Sequence, residues 1–225
     1  ICRKNLTTHL THKLCAVLPK RNTKTKNHIA RTKASILQAL CPFSIGEEEN
    51  PMILHNATVD TILERRSVRS YAPQQITPDE LETILEAGRS APSGMNQQSA
   101  IAVAVQSKAE MAQLVELAKA AAHQDHNPFY DAPTVILVFA RMTNLAPMED
   151  GCTAIENMLL AAKSLGIGTC WIYAVNALFA SDAGMTWQDA HGIGKEYAIV
   201  GSLAAGYPAG AEPQPKEHHA FYKCI

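Results

Sequence analysis

An α+β domain is the fold class this sequence predicts, and three observations lead there. Helical and strand patterns follow one another without the regular strand–helix–strand alternation of a doubly wound sheet. Of 225 residues, 47% are hydrophobic and 18% charged, a globular balance that supplies one core. No apolar run approaches the roughly 20 residues that span a bilayer, and no secretory leader is legible near the start.

The elements are argued in order from Met52, the first methionine. In "NATVDTILERR", Val59, Ile62 and Leu63 have the spacing of a short helix with a buried inner face. "ITPDELETILEAGRSAPSG" opens a second helix with Thr77 as N-cap, Pro78 at the first helical position and Glu80 completing a capping box. Its apolar face is Leu81, Ile84, Leu85 and Gly88. "AIAVAV" (100–105) reads as a buried strand, and Ser107 with Glu110 as the cap of a third helix. "TVILVF" after Pro133 is the strand richest in β-branched residues. In "DGCTAIENMLLAAKSLG", Ile155, Met158, Leu159, Ala162 and Leu165 form one stripe with Leu160 and Ala161 on its flanks, so this central helix is buried on several sides. "GTCWIY" and "YAIVGSLAAGYP" are strands, separated by a weakly patterned stretch with Trp187 and His191.

Charge divides the chain. Residues 1–51 carry nine Lys or Arg against three Glu, a surplus of +6, whereas residues 52–225 stand at -7 within a net -1. The first 46 residues hold no acid and little periodicity, and we expect disorder there. Three readings of this extension stay open: translated upstream DNA, favoured by the purine-codon stretch "GEEEN" before Met52; a targeting presequence; and a nucleic-acid-binding tail. The domain proper is residues 52–225. The chain's six scattered cysteines, with no C-x-x-C pair, indicate reduced thiols in a cytoplasmic protein.

"ERRSVRSY" (64–71) sets Arg65, Arg66 and Arg69 where a helix gives way to extended chain, inside an otherwise acidic body. Guanidinium groups held at such a junction grip a phosphate bidentately. A nucleic-acid groove needs more basic groups along the chain, so one small anionic ligand is the simpler inference. His123 and His126 lack further ligands at metal spacing, and His191 reads as solvated like them. Cys170, on a strand with no basic neighbour in sequence, reads as structural.

Four stretches in register carry a likeness: "ERRSVRSY", "APSGMNQQ", "ENMLLAAKSLGIGTCWI" and "GSLAAGYP". Over roughly Val59 to His218 the chain resembles the FMN-dependent nitroreductase family. The resemblance implies an intertwined homodimer with a central, mostly antiparallel sheet flanked by helices and two FMN sites at the subunit interface. It assigns Arg65, Arg66, Ser67 and Arg69 to the FMN phosphate and one edge of the flavin. Pro92, Ser93, Gly94, Asn96 and Gln98 would come from the other subunit to the ring and ribityl chain. Ile172, Tyr173 and Ala174 would offer main-chain groups near flavin N5, and Lys216 would bind phosphate, with His218 where the family commonly has arginine. Ser99 and Ala100 replace the family's frequent Pro-Trp, which puts substrate preference in doubt. The implied activity is hydride transfer from NADPH or NADH to nitroaromatic, quinone or similar acceptors by a ping-pong cycle, the hydride chemistry belonging to the flavin and to no catalytic side chain. Other flavin reactions on this fold (dehalogenation, enamide oxidation, flavin fragmentation) and non-enzymatic flavin binding are the alternatives. No metal, nucleic acid or membrane enters this reading.

Overall fold

The computed structural model describes residues 52–211, with 213–215, 217, 219 and 223. The basic extension, Lys216 and His218 lie outside the described residues. All the elements below fall within one compact unit, Leu54–Ile225.

Four strands form one antiparallel sheet in the order β1-β2-β4-β3: β1 Ala100–Val105, β2 Thr134–Arg141, β3 Gly168–Ile172 and β4 Tyr197–Gly206. Central β2 is buried from Thr134 to Ala140, which is why its run of β-branched and aromatic residues is unbroken. Its alternate side chains feed two cores. Val135, Leu137 and Phe139 face one; Ile136, Val138 and Ala140 face the other. β1 departs from the expected burial, because it is an edge strand and only Val105 at its end is fully buried. β4 bulges at Val200, where Val138 pairs with Gly201 and Phe139 with Ile199.

On one face lie α2 (Pro78–Arg89) and α4 (Pro147–Ser164). The α2 capping box forms as its sequence predicts, and the Tyr207 hydroxyl at the end of β4 adds a 2.7 Å hydrogen bond to the Glu80 carboxylate. Ile84 and Gly88 of α2 pack on α4, whose stripe of Ile155, Met158, Leu159 and Ala162 is buried against the sheet. Leu165 leaves that stripe: it is the C-cap of α4 and exposed. Gly151 lets α4 close on the bulge, since a Cβ there would collide with the Val200 methyls.

The other face carries α3 (Lys108–Ala122), α5 (Val175–Phe179) and α6 (Asp182–Ala190). Ser107 is at the N-cap of α3, but its side chain makes no capping bond, and Glu110 turns instead to His191 at 3.2 Å. His191 is therefore not simply solvated; it also stacks on Trp187 with ring centroids 3.8 Å apart. The weakly patterned stretch folds because Phe179 packs edge-to-face on Phe139 of β2 and Trp187 edge-to-face on Phe179, an association between segments distant in sequence.

α1 (Ala57–Glu64) is capped by the Asn56 side chain, as its sequence allows. Its expected inner face is not buried among the described residues: Ile62 is 50% and Leu63 43% exposed. The helix meets the rest of the domain at α4, where Glu64 reaches Lys163 at 3.4 Å, and its apolar side faces outward.

Candidate functional site

Where α1 ends, the chain becomes extended and runs beside β3. The Val68 N–H donates to the Thr169 carbonyl at 2.9 Å, and Ser67 forms a parallel bridge with Thr169, so this segment lengthens the sheet at its β3 edge. Gly168 makes the approach feasible, because a Cβ there would fall 2.9 Å from the Val68 Cβ. On its far side the segment is tied to the chain that leaves β4: the Ala72 N–H donates to the Tyr207 carbonyl at 2.8 Å and the Ala209 N–H to the Ser70 carbonyl at 2.9 Å.

These strands enclose an open cavity of about 860 Å³, large enough for a cofactor. Its wall includes Arg65, Arg66, Ser67, Arg69, Lys163 and the segment through Pro215. Lys163, which sequence reasoning missed, arrives because α4 ends beside α1. Lys216 lies outside the described residues.

The arginines are not equivalent. Alternation along extended chain puts Arg65, Ser67 and Arg69 on one side, and all three act on the Cys170 thiol: burial pushes it up, while Arg69, Ser67 and Arg65 pull it down. The cationic neighbours that Cys170 lacks in sequence are supplied by the tertiary fold. Arg65 has no carboxylate partner among the described residues. Arg66 has committed one of its three nitrogens, Nη1, to the carbonyls of Leu63 at 2.7 Å and Arg65 at 2.9 Å. Arg69 lies 5.8 Å from the Tyr130 ring centroid, and hydrogen bonding to Tyr130 raises its pKa.

The second expected group sits elsewhere. Pro92, Ser93, Gly94, Asn96 and Gln98 form a tight loop over the N-terminal turn of α4, where the Gly94 N–H donates to Asp150 Oδ1 at 2.8 Å. Met95, Asn96 and Gln98 are left-handed, with φ of 53°, 55° and 48°. From Asp150 to Lys163 is about 20 Å along α4 at 1.5 Å per residue, and no residue of this loop lines the cavity. One chain thus holds these two groups of residues at opposite ends of one helix. Each is flanked by exposed apolar side chains, Ile62 and Leu63 by the arginines, Met95 and Leu145 by the loop.

The third group, Ile172, Tyr173 and Ala174, lies where β3 passes into α5, with Tyr173 70% exposed. It begins about 10 Å along the strand from Thr169. Two buried polar atoms adjoin it in sequence without hydrogen-bond partners among the described residues, Trp171 Nε1 and Asn176 Oδ1.

Comparison with known proteins bears on the family and the fold. A family model described as the nitroreductase family matches residues 62–207. The chain is 33% identical to a Bacteroides fragilis nitroreductase crystallised with bound FMN, at a TM-score of 0.71, covering 76% of this chain and 99% of that one. A Desulfitobacterium hafniense nitroreductase with bound FMN gives 25% identity and a TM-score of 0.68, over 76% of this chain and 100% of the other. Against a Bacillus subtilis FMN reductase acting with NAD(P)H, identity is 29% over 143 residues, 53% of this chain; the chain spans about half (55%) of that relative's length. With the arginine segment on the β3 edge, the antiparallel sheet between two helical layers and a family match over most of the domain, the chain belongs to the nitroreductase family.

Proposed function

We propose that the protein is an NAD(P)H-dependent FMN oxidoreductase acting on nitroaromatic, quinone or similar acceptors, assembled as a homodimer whose two flavin sites each draw on both chains. The observation that carries this reading is the cavity beside the β3 edge, with Arg65 lacking a carboxylate partner among the described residues and Ser67 beside it. A cationic cleft of that size fits a phosphorylated cofactor.

In this reading Arg65 and Ser67 bind the phosphate, with Arg66 contributing less because Nη1, two of its five N–H donors, is already engaged. Lys163 adds positive charge at the same end, and Lys216 completes the grip from the C-terminal segment. Arg69, steadied by Tyr130, addresses the pyrimidine edge of the ring. Ile172, Tyr173 and Ala174 offer backbone groups to the ring. FMN, when bound, supplies the hydride-accepting and hydride-donating position. Pro92, Ser93, Gly94, Asn96 and Gln98 close the site from the partner chain, since their own chain holds them about 20 Å along α4 from the arginines. Donor and acceptor use one flavin face in turn, which is the basis of a ping-pong cycle.

The test uses the purified full chain. We expect a flavin absorbance band, anaerobic bleaching by NADPH or NADH, recovery of colour on adding a nitroaromatic or quinone, parallel double-reciprocal plots and a dimer by sedimentation. A protein that stays colourless after incubation with FMN overturns the reading.

A further inference from the structure

Asp150 is a buried carboxylate, 5% exposed, with no cation beside it among the described residues. Taking a charge out of water is costly unless hydrogen bonds replace the lost solvation. Here both oxygens are occupied from the same loop. Oδ1 accepts the Gly94 N–H at 2.8 Å, and Oδ2 accepts the buried Ser99 hydroxyl at 2.6 Å. Between those two anchors stand Met95, Asn96 and Gln98, all in the left-handed region that side chains other than glycine seldom adopt. Such backbone persists only where its surroundings over-determine it. The first turn of α4 is a favourable place for the charge, since helix N-termini are electropositive.

We infer that Asp150 is a positioning residue that clamps both ends of the Pro92–Gln98 loop and holds its strained backbone in the shape that closes the flavin site. The inference rests on the function proposed above. The loop has other ties, from the Gln98 N–H to Ser93 Oγ at 3.0 Å within it, from Thr153 Oγ1 to the Pro92 carbonyl at 3.1 Å, from Asn144 Nδ2 to the Gln97 carbonyl at 3.3 Å and from the Leu145 N–H to Gln97 Oε1 at 2.8 Å, but among the described residues outside the loop only Asp150 reaches both Gly94 and Ser99. Ser99, which with Ala100 stands where the resembled family frequently has Pro-Trp, is one of the two anchors.

The experiment compares Asp150→Ala, Asp150→Asn and Ser99→Ala in the full chain by amide exchange of flavin-free protein at Asn96, Gln97 and Gln98 and by FMN affinity. In Asp150→Ala, loop exchange should quicken and FMN affinity fall, each at least about tenfold, as expected when charge-assisted hydrogen bonds are lost. Asp150→Asn keeps an acceptor for Gly94 and a group that can pair with Ser99, so it should recover to within about threefold of wild type if geometry is what matters. Ser99→Ala removes one anchor and should fall between; it decides the matter if Asp150→Ala does not fold. Wild-type exchange in both Asp150→Ala and Ser99→Ala overturns the clamp, as does an Asp150→Asn variant no better than Asp150→Ala. If the wild-type protein takes up no FMN, the proposed function fails, while the exchange measurement still decides whether the clamp exists.

Discussion

Three arginines that look alike in sequence differ in what they can give a ligand. Arg65 is unpaired among the described residues, Arg66 is bonded to local carbonyls, and Arg69 is held against Tyr130. Removing Arg65 should therefore cost more than removing Arg66. Arg65→Ala loses charge-assisted bonds of about 1.5–3 kcal/mol, and FMN affinity should fall about tenfold to a hundredfold; Arg66→Ala should fall by less than about fivefold, since its Nη1 is already bonded to local carbonyls and fewer of its donors are left for a ligand. Fluorescence titration of flavin measures both, and equal losses would contradict the alternating geometry. Tyr130, whose φ is +55° in an aromatic residue, steadies Arg69. Were Tyr130 merely packed there, losing its hydroxyl would leave the bound flavin's reduction potential unchanged. Tyr130→Phe should shift that potential if Arg69 faces the ring.

At the scale of elements, close approach and capping decide the site's shape. Gly168→Ala would press on the Val68 Cβ and push the arginine segment off β3. We expect about 1–3 kcal/mol of destabilisation in urea, with weaker FMN binding in the fraction that folds. The Glu80 carboxylate is held below its ordinary pKa, first by the Thr77 backbone N–H and then by Tyr207 and the Thr77 hydroxyl. A depressed carboxylate gives stability that is full above the unfolded value and is lost as pH falls through the folded one. Thermal stability of the wild type should thus drop as pH falls below the usual carboxylate range, and Glu80→Gln should flatten that slope. The α2 start is legible in the sequence because a capping box is local. The exposure of α1 is not, because a periodic stripe shows which side is apolar and says nothing of whether the same chain covers it. The exposure of β1 escapes for a similar reason, since edge or centre is a property of sheet order.

For the whole molecule, the two proposed half-sites at opposite ends of α4 make a sharp prediction about assembly. Arg65→Ala and Asn96→Ala should each lose FMN from both sites of a homodimer. Refolded together, they should form mixed dimers in which one site pairs an intact arginine segment with an intact loop. Random mixing then restores about a quarter of wild-type flavin content, because half the dimers are mixed and one of their two sites is whole. No recovery above the unmixed variants would mean that each site is built within a single chain.

The sequence by itself determined what depends on neighbours along the chain: the capped α2, the buried run of β2, the striped α4 and the clustered arginines at the end of a helix. Tertiary structure alone decided which arginine is free, that Lys163 joins the cavity wall, that Arg65 and Arg69 come to Cys170, and that Asp150 takes both ends of a strained loop. The division has one physical cause. Caps and periodic stripes are satisfied within a few residues, whereas the partner of a buried charge or an edge strand is set by how distant segments pack, which no local pattern records.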